Sequence, residues 1–337
     1  MSALHPDARP GARPVPPPAP TPPAAAPGPR RTGPWRRGRV LAGAAVLSAL
    51  LMLGHSLVPN TPGNLGSLLE TFLPWLGLAV PLLLALAAVR RSATAALAVL
   101  LPALVWTSLF GGGFLDKTGS GGDLTVVSHN VDEGNRDPRG TARALATSGA
   151  GVLALEELSS KAAKVYEEEL AADYPYHSVQ GTVGLWSRYP LRDARPVAIM
   201  PWTRALRATV DTPKGPLAVY AAHLASVRVH PASGFGTERR NDAAQKLADA
   251  VRAEPLPRVM VVGDFNGSTD DRALHGVVDG LRSAQDEAGA GLGLSWPASF
   301  PLVRIDQVLV KGVTPVSAWT LPGTGSDHLP VAASVRL

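Results

Sequence analysis

The 337-residue sequence contains no cysteine. This absence excludes disulfide bonds, thiolate-bound zinc, iron–sulfur clusters and a cysteine nucleophile. Charged residues make up 18% of the chain and aromatic residues 5%, and the charged fraction lies below the roughly 25% that is typical of soluble domains. Because the chain is also long for one domain, we expect several regions, with the apolar residues concentrated in one of them.

Most of the chain has no excess of positive charge, although the whole sequence has a net charge of +5. Residues 119–337 carry 22 Lys and Arg against 24 Asp and Glu, a net charge of −2. The positive charge therefore belongs to the N-terminal part. Since a nucleic-acid-binding domain normally has a basic face, nucleic acid is not expected as a partner of this region.

The N-terminal part combines a proline-rich tail with long apolar runs. Residues 1–34 contain 12 of the 32 prolines, and we predict that residues 1–38 form a disordered Pro/Arg-rich tail. Residues 39–112 then hold three apolar runs, each close to the ~20 residues that a helix needs to cross a bilayer. We predict that they are transmembrane helices at about 40–58, 72–89 and 93–110. The first run could instead be a signal peptide, but no small-x-small cleavage site follows it.

The distribution of basic residues predicts how these helices are oriented. Five arginines lie within the ten residues before the first run, Glu70 is the only charged residue of the 59–71 loop, and Arg90 and Arg91 follow the second run. By the positive-inside rule, the N-terminus is cytoplasmic and the chain after about residue 115 lies outside, in a multi-pass protein of the cell membrane. We predict a Gly-rich linker over 113–122 and one extracytoplasmic domain over 123–337.

The C-terminal region alternates short apolar runs with helical patterns, which predicts an α+β domain. We predict helices at Gly140–Ser148, Ser159–Ala172 and Thr237–Ala253, with Ser159 or Ser160 as an N-cap. The predicted strands are rich in Val, Leu and Ala and are bounded by Gly, Pro and Asp. They are Leu124–Val127, Val152–Leu155, Val183–Trp186, Ala205–Val210, Leu217–Ala222, Val259–Val262, Ile305–Val310 and Val331–Val335.

Polar residues cluster at the ends of these strands, where a functional site on a sheet edge would lie. Carboxylates, two asparagines and two histidines dominate the cluster, and such oxygen-rich ligands suit a hard cation such as Mg²⁺ or Mn²⁺ better than zinc. Each motif alone is also compatible with a turn or a solvated surface pair. The residues are Asn130, Asp132, Glu156, Glu157, His223, Asp264, Asn266, Asp306, Asp327 and His328.

In this order, these motifs resemble the signature of the endonuclease/exonuclease/phosphatase superfamily. The strongest parts are Gly263-Asp264-Phe265-Asn266 and Ser326-Asp327-His328, with Gly184–Leu191 and Arg304–Asp306 in support. The resemblance covers about residues 123–337. It implies a four-layer αββα sandwich that cleaves phosphate esters with a divalent cation.

The resemblance also implies a role for each residue. The family has Gln where this chain has Glu156, and its register selects Glu157 as a metal ligand. Either His328 or Asp264 would take the proton from water, and Trp296 and Phe300 would line the cleft or pack in the core. The remaining assignments are Asn130 and Asp132 as metal ligands, Asp306 as the residue that orients His328, Asp264 and Asn266 as positioning groups, His223 as a hydrogen-bond donor to the phosphate, and Asp327 as part of the Ser-Asp-His block.

The order of these regions, with a basic tail, apolar runs and an outer phosphoesterase domain, resembles that of actinomycete membrane proteins that confer glycopeptide (teicoplanin) resistance. This implies hydrolysis of a lipid-linked phosphate or pyrophosphate, such as undecaprenyl pyrophosphate, in cell-wall synthesis. An extracytoplasmic nuclease or a phospholipid phosphodiesterase is the alternative among enzymes. A non-catalytic membrane sensor is the alternative outside enzymes.

Overall fold

The structure is a computed structural model that describes residues 38–61, 63–230 and 234–337. The predicted disordered tail therefore lies outside the described residues, apart from Gly38. Residues from Leu124 onward form two six-stranded sheets and one small ribbon. The strands are β1 Leu124–Asn130, β2 Val152–Glu156, β3 Tyr176–Gln180, β4 Val183–Ser187, β5 Leu191–Pro196, β6 Ala205–Thr212, β7 Gly215–Ala222, β8 Arg228–His230, β9 Gly234–Gly236, β10 Val259–Asp264, β11 Arg282–Ser283, β12 Asp306–Lys311, β13 Thr314–Thr320 and β14 Val331–Arg336.

Two sheets pack face to face and carry helices on their outer faces. The strand orders are β13-β14-β1-β2-β4-β3 and β11-β12-β10-β7-β6-β5, and apolar residues of both inner faces form one core between them. Separate apolar clusters bury the helices against each sheet. The helices are α6 Pro138–Ala146, α7 Ser160–Leu170, α8 Glu238–Arg252, α9 His275–Val278 and α10 Ala284–Ala288.

These layers confirm the predicted α+β sandwich. All eight predicted strands and all three predicted helices of the domain are present. Ser159 caps α7, because its hydroxyl accepts a hydrogen bond from the backbone N–H of Ala162. The strands that were not predicted are mostly polar or short. β3 and β5 are largely exposed edge strands, and their sequences therefore lack the apolar pattern of a strand with a buried face.

The pairing of strands places the polar cluster at one edge of both sheets. β1 runs parallel to β2 in one sheet, and β7 runs parallel to β10 in the other. The carboxyl ends of these four strands carry Asn130, Glu156, His223 and Asp264. β12 is antiparallel to β10, with Asp306 directly opposite Asp264. The topology therefore brings distant segments of the sequence to one place.

The N-terminal helices are shorter and more broken than predicted. They are α1 Arg39–Leu53, α2 Leu65–Thr71, α3 Ala79–Val89, α4 Ala93–Ala98 and α5 Leu100–Phe110, with 3₁₀ turns at His55–Leu57, Leu73–Leu78 and Gly111–Phe114. α1 stops at Gly54 after 15 residues, about 22 Å, which is less than the ~30 Å of a bilayer core.

Three predicted membrane crossings are therefore not confirmed. Within the described residues, only the helical stretch Ala93–Phe114 is long and apolar enough to cross a membrane by itself. Leu65–Thr71 and Leu73–Val89 meet that criterion only as a pair, and the pair is bent by 72°. The bend follows Glu70, a fully buried carboxylate that faces the sandwich domain.

Candidate active site

Asp264 occupies the centre of the polar cluster. The preceding Gly263 has φ 139°, and a Cβ there would lie 1.9 Å from the carbonyl oxygen of Ala222, so only glycine lets β10 approach β7 this closely. Asp264 Oδ2 accepts hydrogen bonds from Asn130 Nδ2 at 3.0 Å and Asn266 Nδ2 at 3.1 Å. Its other oxygen accepts the backbone N–H of Asn266 at 2.8 Å. The carboxylate is thereby fixed in one orientation.

His328 and Asp306 form a buried pair beside Asp264. The ring Nδ1 lies 2.9 Å from Asp306 Oδ2, and Nε2 lies 3.9 Å from Asp264 Oδ2. Ligand atoms of these three buried residues all lie within 4.8 Å of one another. Burial alone would lower the pKa of His328, but the charges of Asp306 and Asp264 outweigh it and raise that pKa to about 10. The imidazole is therefore a cation at neutral pH.

The same environment raises the pKa of Asp264. Burial is the main cause and the nearby charge of Asp306 adds to it, so the pKa of Asp264 is raised to about 7. A carboxylate whose pKa lies close to neutral is suited to exchange a proton with water. The pair thus consists of a charged His328 that can donate and an Asp264 that can accept.

His223 and Glu157 complete the opposite side of the site. His223 Nε2 lies 3.5 Å from both Glu157 Oε1 and Asp264 Oδ2. Burial and the adjacent charge of Arg204 lower the pKa of His223 well below its usual value. Arg204 donates hydrogen bonds to the ring Nε2 and the carbonyl oxygen of His223. His223 is therefore neutral, and the positive charge on this side belongs to Arg204.

Two predicted residues are not part of the Asp264–Asp306–His328 group. Asp132 Oδ1 accepts the backbone N–H of Gly134 at 2.7 Å, within its own turn. Asp327 is exposed at the rim, where Oδ2 accepts a hydrogen bond from Trp296 Nε1 at 3.0 Å and Oδ1 lies 3.9 Å from His328 Nε2. Trp296 is partly exposed beside the His328 ring, and Phe300 is exposed. Neither aromatic residue is part of the core.

Glu156 lies beneath the site and is fully buried. Oε1 accepts a hydrogen bond from Ser128, whereas Oε2 has no hydrogen-bond partner. Burial, with the charge of Asp306, raises the pKa of Glu156 well above its usual value. A neutral glutamic acid has nearly the shape of glutamine. The departure from the motif of the resembled family therefore adds no negative charge beside the residues that we predict to bind metal.

We expect Glu156→Gln to stabilise the protein at neutral pH and to leave activity intact. The folded-state pKa of Glu156 lies above its unfolded value of 4.5, so the wild type loses stability as pH rises beyond that value. The advantage of the variant should therefore grow between pH 5 and pH 8, as measured by urea unfolding. A variant less stable than wild type at pH 8 would contradict the neutral state of Glu156.

The His328–Asp306 pair also predicts a loss of stability with rising pH, in a higher pH range. The folded pKa of His328, about 10, is above the unfolded value of 6.5. The stabilisation is complete below about pH 6.5 and is lost as pH rises towards 10. In metal-free protein, thermal unfolding should show a steeper fall in Tm between pH 7 and pH 10 for wild type than for His328→Gln. Equal slopes would show that the pair carries no such stabilisation.

Two arginines of the site were not predicted from the sequence. Arg204 borders β6 and faces Glu157 and Asp264, and Arg240 on α8 is fully buried. Arg240 Nη1 donates to the carbonyl oxygen of Asn266 at 3.1 Å, and Nη2 lies 2.6 Å from Asp271 Oδ2. Arg240 thereby supports the segment that carries Asn266. The only signal in the sequence is a charged residue at an inward-facing helix position.

Comparisons with known proteins agree with this architecture. The family model described as "Endonuclease/Exonuclease/phosphatase family" matches residues 127–328, more than half of the chain. No curated protein matches the sequence. Among solved structures, TDP2 from D. rerio with a single-strand DNA product has 19% identity and a TM-score of 0.54, covering 64% of this chain and 99% of that one.

Two further solved structures share the fold. The mannosyl-6-phosphatase Bt3783 of Bacteroides thetaiotaomicron has 15% identity and a TM-score of 0.52, covering 64% of this chain and all of its own. The beta toxin of Staphylococcus aureus has 14% identity and a TM-score of 0.51, with coverages of 63% and 99%. Members of the matched family are hydrolases that act on phosphate esters. With the family model covering most of the domain and the fold in agreement, this chain belongs to the endonuclease/exonuclease/phosphatase family.

Proposed function

We propose that this protein is a metal-dependent phosphoesterase that hydrolyses a lipid-linked phosphate or pyrophosphate. The observation that carries the hydrolytic part is the convergence of Asp264, Asp306 and His328 within 4.8 Å. Asn130 and Asn266 both contact the central carboxylate. The proposal assigns one reaction to this group of side chains, which the sequence separates by nearly 200 positions.

The side chains fit a hard divalent cation. Glu157 is a carboxylate that is 28% exposed at the site. Asn130 lies on the neighbouring strand, opposite Glu156, and its amide oxygen accepts one hydrogen bond, from the backbone N–H of Asp132. These are oxygen donors of the kind that Mg²⁺ or Mn²⁺ prefers. We assign Glu157 and Asn130 as ligands because Asn130 Nδ2 contacts Asp264 directly and Glu157 shares His223 as a neighbour with Asp264. We leave out Asp132, whose hydrogen bonds among the described residues all lie in the turn 130–135. When bound, the ion would neutralise charge that develops on the phosphoryl oxygens.

The protein side chains supply proton transfer and positive charge. Asp264 accepts the proton of the attacking water, with Asn266 holding the carboxylate in place. His328, kept charged by Asp306, donates a hydrogen bond to a phosphoryl oxygen. His223 lies between Glu157 and Asp264, and Arg204 behind it adds a permanent positive charge. Such preorganised donors and charges commonly account for most of the acceleration of phosphoryl transfer.

The lipid-linked substrate is supported by the N-terminal part and by charge. The apolar stretch Ala93–Phe114 is long enough to cross a bilayer, which would hold the domain near lipid headgroups. The net charge of −2 over residues 119–337 offers little attraction to a polynucleotide. We extend the proposal to an extracytoplasmic location, to undecaprenyl pyrophosphate as substrate, and to a role in teicoplanin resistance.

A hydrolysis panel tests the proposal. Purified full-length protein in detergent is assayed, with Mg²⁺ and with EDTA, for release of phosphate from undecaprenyl pyrophosphate, release of phosphocholine from sphingomyelin and nicking of plasmid DNA. We expect Mg²⁺-dependent release of phosphate from the pyrophosphate. Cleavage of DNA or sphingomyelin alone would favour the nuclease or the phospholipid phosphodiesterase, and no cleavage of any substrate would favour the sensor.

The metal assignment makes a separate prediction. Glu157→Gln removes one charged oxygen ligand, so the Mg²⁺ concentration at half-maximal activity should rise by at least about tenfold. Isothermal titration with Mn²⁺ should show the same loss of affinity. Glu133→Gln, next to the site but not an assigned ligand, is the control. Equal Mn²⁺ affinity in Glu157→Gln and wild type would remove Glu157 from the ligand set.

A further inference from the structure

An ion pair between the buried Glu70 and the half-buried Arg272 joins the N-terminal helices to the sandwich domain. Glu70 is fully buried, and its Oε1 lies 2.8 Å from Arg272 Nη2. Oε2 accepts the backbone N–H of Arg272 at 3.1 Å, and Ser268 donates to the Glu70 carbonyl oxygen. Breaking a buried pair leaves an uncompensated charge, which is strongly destabilising. The helices therefore hold a defined position relative to the catalytic side chains.

An apolar groove lies between these helices next to the domain. Its volume is about 580 Å³, and its lining includes Trp75, Pro81, Ala103, Trp106, Phe114 and Leu292. Both indole N–H groups are satisfied: Trp75 Nε1 donates to the Leu302 carbonyl at 2.6 Å, and Trp106 Nε1 donates to that of Pro74 at 2.7 Å. The indole rings can therefore present apolar surface to the groove.

Gly77 gives the groove its shape. A Cβ at this position would lie 2.3 Å from Trp106 Nε1, so the indole packs directly on the backbone of the Leu73–Leu78 turn. Any side chain larger than hydrogen would push Trp106 away. The close approach joins two helical segments that are about 30 residues apart, and it keeps the wall of the groove continuous.

The groove adjoins a second cavity whose lining includes residues close in sequence to those of the active site. The two share Pro74 and Leu292, and the second cavity, of about 260 Å³, is also lined by Ser268, Leu302 and Arg304. Ser268 follows Asn266 by two residues, and Arg304 precedes Asp306 by two. From Leu302, which is bonded to Trp75, four residues lead to Asp306 and span at most about 14 Å.

We propose that this groove binds one hydrocarbon chain of the lipid substrate and so presents its phosphate to Asp264 and His328. This inference rests on the proposed function, because it takes the substrate to be a lipid-linked phosphate. The volume lies within the about 300–1,000 Å³ of small-ligand pockets. An α-helix, about 10–12 Å in diameter, would fit for only one turn, so a protein segment is not the occupant.

Filling the groove should weaken binding of long-chain substrates selectively. Ala103→Phe places a ring in the groove, whereas Leu104→Phe is a matched control on an exposed face of the same helix. For undecaprenyl pyrophosphate, Ala103→Phe should raise KM by at least about tenfold. This is the effect expected when roughly two methylene groups of the lipid can no longer be buried in the groove. Turnover of the five-carbon dimethylallyl pyrophosphate should be unchanged in both variants, which also shows that they fold. An equal KM for wild type and Ala103→Phe would overturn the proposal.

Fluorescence quenching tests the groove without turnover. A polyprenyl phosphate brominated along its chain should quench Trp75 and Trp106, and Trp75→Phe and Trp106→Phe should each reduce the quenched signal. Unlabelled undecaprenyl pyrophosphate should relieve the quenching, whereas phosphatidylcholine should not. Relief by both lipids alike would show ordinary lipid contact and reject the groove as a substrate site.

The two experiments separate this inference from the proposed function. If no lipid phosphate is hydrolysed but undecaprenyl pyrophosphate alone relieves quenching, the proposed function fails while the groove remains a lipid-chain site. If the lipid is hydrolysed but Ala103→Phe does not alter KM, the function stands and the groove proposal fails.

Discussion

Replacing His328 by alanine is expected to lower kcat for phosphate release by about 10²–10³-fold, the usual contribution of one positioned hydrogen-bond donor to developing negative charge. The loss follows from geometry and charge together. Asp306 holds the ring at 2.9 Å and keeps it positively charged, so the wild-type site has a cation where phosphoryl charge develops. Alanine removes both the charge and the hydrogen-bond donor. Steady-state kinetics with saturating Mg²⁺ would measure the effect.

The control for this prediction is His177→Ala. His177 is 39% exposed on its side chain and its ring stacks on Trp186, so its loss removes a histidine without touching the site. We expect that variant to retain wild-type kcat. Comparable Mn²⁺ affinity in His328→Ala would show that the metal is still bound. If His328→Ala kept wild-type kcat, His328 would have no part in the reaction.

Replacing Arg240 by methionine is expected to cause the largest loss of stability, about 3–5 kcal/mol in the free energy of unfolding. Arg240 and Asp271 are both fully buried and 2.6 Å apart, so methionine leaves the Asp271 carboxylate without its main partner. The carbonyl oxygen of Asn266 also loses its hydrogen bond from Arg240. We therefore expect kcat to fall as well, because the segment that holds Asn266 is released. Urea unfolding and kinetics measure the two effects.

A surface ion pair on the same helix provides the control. Arg252 lies 2.9 Å from Asp249, and both side chains are more than half exposed. Arg252→Met should change the free energy of unfolding by no more than about 0.5 kcal/mol. Arg240→Met combined with Asp271→Leu should recover part of the stability lost in Arg240→Met, because no charge is then buried alone. Equal unfolding midpoints for Arg240→Met and Arg252→Met would contradict the role of the buried pair.

Much of the sandwich and of its polar edge could be predicted because the signal is local. Buried strands such as Val152–Glu156 and Val259–Asp264 are continuous apolar runs, and each ends in a charged residue. Parallel pairing aligns the carboxyl ends of neighbouring strands within each sheet. Convergence of Asp264 with His328 also needs the two sheets to pack face to face, and only the family resemblance predicts that packing.

The N-terminal part was predicted less well because its structure depends on contacts with the sandwich domain. From composition alone, Glu70 is predicted to be a charged residue in a loop. In the structure its side chain is fully buried against Arg272, 202 residues away. That contact accompanies the bend at Thr71–Leu73, where the second apolar run begins. Arg204 and the Arg240–Asp271 pair were missed for the same reason. Each arginine is an ordinary charged residue in the sequence and gains its role only from a distant partner.

The proposed hydrolysis requires a divalent cation beside Asp264. Anomalous diffraction from crystals grown with Mn²⁺ would locate it. We predict one strong peak in contact with Glu157 and Asn130, next to Asp264 and His328, and no peak at that position in Glu157→Gln. A wild-type crystal with no peak there, from protein that still releases phosphate in EDTA, would contradict the account.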